Sequence, residues 1–322
     1  MSDNLIGGFG NDRISGLGGN DTIDGQAGSD VIYGGDGDDR IEGNFGNDLL
    51  YGEAGNDTIT DDQGSNTLDG GLGNDNLTSR SLSGNHNLLG GSGLDSLYAT
   101  GKTITLDGGD DNDSLSATGV LDVAGSSSYV SQGTASLLGG LGDDILSASS
   151  YSTAILRGGA GNDYLNTYNA RIVSLYGDAG ADRITALIDT YSSGSTDGDN
   201  RLPESAYIDG GDDNDTISVS CYSSTYSGRV DVTTLGGSGD DSLTVTDNDA
   251  GDTGTSGQGY GIASISLNGG IGNDRLSASG GLQVTYTGGS GTDTFVFTAQ
   301  QYRTLLEGAR VIQGPNSTTT VV

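Results

Sequence analysis

The chain has 322 residues, of which 44 are Asp or Glu and 12 are Lys or Arg, and its formal net charge at pH 7 is −32. Nucleic acid would repel so negative a chain, so we exclude nucleic-acid binding as a function. With 60 glycines, 32% hydrophobic residues and no Trp, the chain has little apolar material for a core and is expected to be disordered by itself. Folding should therefore require a cation that neutralises the carboxylates.

One nine-residue sequence is repeated eight times without a gap between Gly7 and Thr78. The first copies read GGFGNDRIS, GLGGNDTID, GQAGSDVIY and GGDGDDRIE, so the consensus is Gly-Gly-x-Gly-x-Asp-x-aliphatic-x. Since glycine permits positive φ angles, the first six residues are predicted to form a tight turn with inward-facing carbonyl oxygens. The last three residues are predicted to form a short strand with one inward aliphatic side chain. Two copies then make one flattened coil of eighteen residues.

The sixth residue is Asp in seven of these eight copies and in nine later copies. Carbonyl oxygens and carboxylates, with no His, Cys or Met in the consensus, suit Ca²⁺ and argue against Zn²⁺ or copper. The predicted metal ligands are therefore Asp12, Asp21, Asp30, Asp39, Asp48, Asp57, Asp75, Asp95, Asp113, Asp144, Asp163, Asp182, Asp215, Asp241, Asp274 and Asp293.

Alternate copies must lie on opposite edges of the predicted coil stack. We name edge A the edge with the copies that begin at residues 16, 34, 52 and 70, and edge B the edge with those that begin at residues 7, 25, 43 and 61. Later copies start 18 to 33 residues apart, and the shortest spacing equals one coil. We therefore expect edge A to continue along the chain while loops replace the turns of edge B.

These spacings predict three segments. Residues 1–78 should carry calcium turns on both edges, residues 79–296 should carry them mainly on edge A with loop insertions on edge B, and residues 297–322 should form a C-terminal cap or a type I secretion signal. The insertions are rich in Ser, Thr, Gly and Tyr. Either they bind a polymer or a neighbouring subunit, or their tyrosines fill the strands of wider coils.

Three copies depart from the consensus. The copy at residue 61, DDQGSNTLD, has Asn66 in place of the carboxylate, and the copies at residues 108 and 210 have Asp111 and Asp213 in place of the fourth glycine. Because Asp tolerates the left-handed region better than most residues, the two turns are expected to survive. Ion affinity at those turns is left open.

The tandem repeats resemble the calcium-binding repeats-in-toxin (RTX) family, which forms the hemolysin-type parallel β-roll. The fold expected from this resemblance is all-β, a right-handed parallel β-roll or β-solenoid of about thirteen coils with calcium-bound turns. About twelve ions are expected on edge A and about three on edge B, which gives about fifteen Ca²⁺.

The N-terminus lacks the basic and apolar regions of a secretory signal, and no apolar stretch is long enough to cross a membrane. The resemblance implies bacterial type I export to the extracellular space or cell surface.

Catalytic residues are not expected, and the chain is interpreted as a non-enzyme. His86 is the single histidine and is predicted to be a solvated loop residue, and the single cysteine, Cys221, is placed in a Ser-Tyr loop. No Gly-x-Ser-x-Gly motif occurs, and RTX proteases and lipases carry a separate catalytic domain for which the chain has no room.

The predicted function is a secreted structural element that Ca²⁺ folds outside the cell, in a surface layer, an adhesive or an extracellular matrix. The alternative is a calcium-dependent folding and export module of a larger RTX toxin or secreted enzyme. Besides calcium ions, the candidate partners are further copies of the chain, in a filament or lattice, and cell-surface polysaccharide.

Overall fold

In a computed structural model of the chain, the described residues are 1–120, 133–189, 204–222, 229–248, 261–280, 283–297, 310–312 and 318–321. They form parallel strands without a helix, so this part of the chain offers no helix with the length and hydrophobicity needed to cross a membrane. The all-β architecture predicted from the sequence is confirmed.

The strands build two parallel sheets. Sheet 1 contains β1 (Asn4–Phe9), β3 (Thr22–Ala27), β5 (Arg40–Glu42), β7 (Thr58–Asp61), β9 (Asn76–Arg80), β11 (Ser96–Gly101), β13 (Ser114–Gly119), β15 (Ile145–Ser149), β17 (Tyr164–Tyr168), β19 (Arg183–Asp189), β21 (Thr216–Tyr222), β23 (Ser242–Asp247), β25 (Arg275–Ser279), β27 (Thr294–Phe297) and β29 (Thr318–Val321). Sheet 2 contains β2 (Arg13–Gly18), β4 (Val31–Asp36), β6 (Leu49–Ala54), β8 (Thr67–Leu72), β10 (Asn85–Ser92), β12 (Thr103–Asp110), β14 (Thr134–Leu141), β16 (Thr153–Ala160), β18 (Ile172–Ala179), β20 (Glu204–Asp212), β22 (Arg229–Ser238), β24 (Gly261–Ile271), β26 (Gln283–Ser290) and β28 (Arg310–Ile312).

Each strand pairs with the strands two before and two after it, so the chain alternates between the sheets and completes one coil every two strands. The register keeps equivalent repeat positions side by side: Ile23 lies beside Ile41, and Leu50 beside Leu68. This arrangement is the parallel β-roll that the nonapeptide spacing predicts. β28 and β29 continue the sheets within the segment predicted to be a cap or export signal, and most of that segment lies outside the described residues.

The core is a narrow layer of packed hydrophobic side chains between the two sheets. Early strands each bury a single aliphatic side chain, such as Ile32 in β4 and Ile59 in β7. Many later strands bury two or three, and β19 buries Ile184, Ala186 and Ile188. The roll therefore widens along the chain, while the longest spacings between later copies come from the links between the strands.

The turns follow the alternation of the strands. Every turn that leads from sheet 2 to sheet 1 up to β27 contains a nonapeptide copy, and these turns form edge A. The links from sheet 1 to sheet 2 form edge B, and after β8 they vary in length. The insertions predicted near residues 117–136, 186–205, 219–229 and 245–262 fall on these links, and large parts of them lie outside the described residues.

Two side chains that the sequence placed in loops lie in strands. His86 is buried in β10, where its register partner is the inward-facing Ile104, and its Nδ1 lies 2.8 Å from the Oγ of Ser79. The prediction that His86 is solvated is therefore wrong, because the strand pairing fixes its side chain toward the core. Cys221 is likewise buried in β21 rather than placed in a loop.

Substitution of a turn glycine should test this close stacking. A Cβ atom added to Gly46, whose φ is 146°, would overlap the carbonyl oxygen of Gly28 in the preceding coil. We expect Gly46→Ala to destabilise the calcium-loaded roll by more than about 1 kcal/mol. The matched control is Gly18→Ala, where the nearest atoms would lie at 3.7 and 3.8 Å. Denaturant unfolding in saturating Ca²⁺ measures both, and equal midpoints for the two variants would contradict the stacking.

Candidate metal centre

The turns use left-handed backbone at fixed positions. In the copy at residue 34, the second and fourth residues have positive φ, with Gly35 at 114° and Gly37 at 127°. Asp111 and Asp213, which replace the fourth glycine elsewhere, have φ values of 77° and 74°. The expectation that these two turns survive is confirmed, because Asp can occupy the left-handed region.

A ladder of hydrogen bonds joins the predicted ligands along edge A. The backbone N–H of each sixth-position Asp donates to Oδ1 of the equivalent Asp in the next coil, and the distance is 2.7 Å from Asp21 to Asp39 and from Asp39 to Asp57. The ladder begins at the N–H of Asp3 and then follows Asp21, Asp39, Asp57, Asp75, Asp95, Asp113, Asp144, Asp163, Asp182, Asp215, Asp241, Asp274 and Asp293. Coil spacing varies between copies, yet every carboxylate keeps its place.

Edge B carries a shorter ladder of the same kind. The N–H of Asp12 donates to Asp30 at 2.8 Å, and the N–H of Asp30 donates to Asp48 at 2.7 Å. The N–H of Asp48 then donates to Oδ1 of Asn66 at 3.0 Å. The structure thus brings the predicted ligands together in two separate rows, with Asn66 in the position of a ligand at the end of the second row.

The other carboxylate oxygen, Oδ2, is buried in these rows and has no hydrogen-bond partner among the described residues. A buried carboxylate oxygen that has neither a hydrogen bond nor a cation raises the free energy of the folded state. Each of these oxygens therefore indicates a place for a positive charge. The residues concerned are Asp12, Asp21, Asp30, Asp39, Asp48, Asp57, Asp75, Asp95, Asp113, Asp144, Asp163, Asp182, Asp215, Asp241 and Asp274.

Each Oδ2 faces the small space beside the first glycine of its own copy, which we call the first-glycine cradle. A Cβ atom added to Gly90 would lie 2.5 Å from the carbonyl oxygen of Gly108 and closer still to Oδ2 of Asp95. A carboxylate and a carbonyl of the next coil therefore converge on one point. No group of three or more acidic, His or Cys side chains that could hold a metal occurs in the described part of the chain. A donor set of carboxylate and backbone carbonyl oxygens fits Ca²⁺ and does not fit Zn²⁺ or copper.

Burial makes the ionised form of several of these carboxylates unfavourable when no cation is bound. It raises the pKa of Asp57 and Asp163 to about 7 and that of Asp215 to about 8. The N–H donated from the preceding coil lowers each pKa in part, and the neighbouring carboxylates raise it further. A divalent cation in the row would remove both unfavourable effects.

A second ladder at the fifth position was missed by the sequence analysis, which treated that position as arbitrary. The N–H of Asn56 donates to Oδ1 of Asp38 at 2.8 Å, and the N–H of Asn74 donates to Oδ1 of Asn56 at 2.9 Å. These bonds run opposite to the sixth-position ladder and lie at the surface. The signal was available, because most copies have Asn, Asp or Ser at this position.

The raised pKa values predict how the calcium-free chain depends on pH. A folded carboxyl with a raised pKa binds its proton more tightly than an unfolded one at 3.8, so it stabilises the fold at low pH and loses that contribution as pH rises through about 6 to 8. We expect β-structure to increase as pH falls from 8 to 5 in calcium-free buffer. Far-UV circular dichroism measures this, and a β-signal that grows with rising pH would contradict it.

Comparison with known families agrees with this geometry. The model of the RTX calcium-binding nonapeptide repeat matches residues 1–32, 15–50, 42–77, 155–169 and 266–281. We find no significant match to the chain among curated proteins. Binding of calcium is the general property of this repeat, and proteins that carry it are generally secreted through type I systems. The chain therefore carries the calcium-binding nonapeptide repeat of the RTX family, folded as a parallel β-roll.

Proposed function

We propose that this protein is a secreted structural element, a rod that Ca²⁺ folds outside the cell and that serves a surface layer, an adhesive or an extracellular matrix. The observation that carries the proposal is the continuous row of buried aspartates, which follows edge A from Asp21 to Asp293. In the proposed assignment each sixth-position Asp is a Ca²⁺ ligand, with about twelve ions on edge A and about three on edge B.

Charge supports assembly of the calcium-loaded form. The calcium-free chain has a net charge of −32, and repulsion keeps its copies apart. About fifteen divalent ions would bring the net charge close to zero, and a protein near zero net charge tends to associate. Calcium would then act twice, first by folding the chain and then by removing the repulsion between copies.

The outer face of sheet 2 has side chains suited to lateral contact. Tyr33 stacks on Tyr51 with ring centroids 5.0 Å apart, and the Arg13 guanidinium lies 4.6 Å from the centroid of Tyr33. Farther along the same face, Leu138 and Ile155 are each more than a third exposed. Aromatic residues and arginine are enriched at protein interfaces, so this face supports side-by-side packing of rods.

Calcium should convert the chain from disordered to β-structured. Extracellular calcium modules bind at about 10⁻⁴ to 10⁻³ M, which leaves them empty in a cytosol that is poor in Ca²⁺. We expect a disordered circular dichroism spectrum in chelator at pH 7.5 and a cooperative gain of β-structure as Ca²⁺ rises. Mg²⁺ at the same concentration is the control and should fail, because it keeps its water and requires octahedral geometry. Full β-structure in chelator would overturn the expectation.

Self-association should follow calcium binding. Sedimentation velocity at rising Ca²⁺ and constant ionic strength should give a monomer in chelator and larger species in millimolar Ca²⁺. A folded particle that stays monomeric at high protein concentration would remove the main support for a lattice or filament. That result would favour the alternative function, a calcium-dependent folding and export module of a larger RTX toxin or secreted enzyme.

A further inference from the structure

The last nonapeptide of edge B, DDQGSNTLD, divides the role of one aspartate between two residues. In the other copies after the first, the sixth-position Asp accepts an N–H through Oδ1 and turns Oδ2 toward the first-glycine cradle. Here Asn66 accepts the N–H of Asp48 at 3.0 Å, and its Nδ2 donates to the carbonyl oxygen of Gln63 at 2.9 Å. Asn66 thus keeps the hydrogen-bonding role but provides no carboxylate oxygen.

A carboxylate enters the same turn from another position. Asp61 occupies the first position, where the consensus has glycine, and only 1% of its surface is exposed. Its Oδ1 accepts the N–H of Gln63 at 3.1 Å. Its Oδ2 is buried and has no hydrogen-bond partner among the described residues. An oxygen so placed requires a positive charge nearby.

The Oδ2 of Asp61 points into the first-glycine cradle of the preceding copy on edge B, which begins at Gly43. A Cβ atom added to Gly43 would lie 2.9 Å from Oδ2 of Asp48 and closer still to Oδ2 of Asp61. In the edge B copy one coil earlier, a Cβ atom added to Gly25 would lie 2.6 Å from Oδ2 of Asp30 and 3.0 Å from the carbonyl oxygen of Gly43. Asp61 therefore brings a charged oxygen to a place where the neighbouring site has a neutral carbonyl.

Within the described residues, no basic side chain forms an ion pair with these two buried carboxylates. The ion pairs within the described residues are Arg40 with Glu42 and Arg157 with Asp178, and neither includes Asp48 or Asp61. Two carboxylates this close repel each other strongly unless a cation or a shared proton lies between them. A cation bound at this point would be held by both carboxylates.

We infer that Asp48 and Asp61 together hold a Ca²⁺ ion at the end of edge B, where Asp61 supplies the carboxylate oxygen that Asn66 lacks. The inference rests on the proposed function, because it assumes that the turns bind calcium. It assigns Asp61, which lies outside the repeat consensus, as a metal ligand that compensates for Asn66. Edge B would thereby keep an ion at its last turn.

The test is anomalous diffraction from crystals of the full chain grown in Ca²⁺ and then soaked at decreasing free Ca²⁺. We expect a peak between Asp48 and Asp61 at the free Ca²⁺ concentrations at which edge A is occupied. Asp61→Asn keeps the shape but removes the charge, so its peak should be lost at a free Ca²⁺ concentration at least about tenfold higher than in the unsubstituted chain. Asp62→Asn, at the adjacent exposed residue, removes the same charge and should leave the peak unchanged.

Each outcome is decisive. Occupied edge A turns with no peak between Asp48 and Asp61 would overturn the inference and indicate a shared proton at that point. An unchanged persistence of the peak in Asp61→Asn would also overturn it. If no turn on either edge shows an ion in any variant, the proposed function itself fails, and that result differs from the loss of this one site.

Discussion

The structure depends on a row of carboxylates buried one coil apart. Asp39, Asp57 and Asp75 are each at most 3% exposed, and the backbone N–H of one donates to the side chain of the next. Stacking like charges at this spacing in a buried turn is unfavourable by itself. The narrow hydrophobic core between the sheets contains few side chains whose burial could offset this repulsion. The fold is therefore coupled to whatever supplies positive charge to the turns, and the composition of the chain follows from this constraint.

The two oxygens of each aspartate have different tasks, and this explains the choice of residue. One oxygen fixes the register between coils by accepting an N–H, while the other faces the cradle beside the first glycine. Asn66 meets only the first requirement, since its amide nitrogen donates to Gln63. Glycine at the first position leaves room for the second oxygen, as at Gly90, where an added Cβ would overlap Asp95. Asp and Gly are thus paired within each copy because they share one space.

The repeat made most of this architecture predictable from sequence. Its period fixes the alternation of strands, the sixth position identifies the stacked aspartates, and the spacing of later copies identifies the continuous edge. The burial of His86 was not predictable, because it depends on register with Ile104 across a link that breaks the repeat. Asp61 was missed because the consensus predicts glycine there, and only the stacked coils place its carboxylate beside Asp48. Local patterns identified the rows, but contacts between coils determined the exceptions.

The early and the later coils of the roll reach stability by different means. Early coils place aspartates on both edges and bury one aliphatic side chain per strand, as Ile41 does in β5. Later coils keep the row on edge A alone, and their strands lengthen until β19 buries Ile184, Ala186 and Ile188. Each additional buried Ile, Leu or Val contributes about 1.5 to 3 kcal/mol and each additional buried Ala about 0.8 kcal/mol, which together can offset the loss of a turn on edge B. A wider core therefore permits loops of varied length on one edge, while the other edge retains the uninterrupted row of aspartates that holds the coils in register.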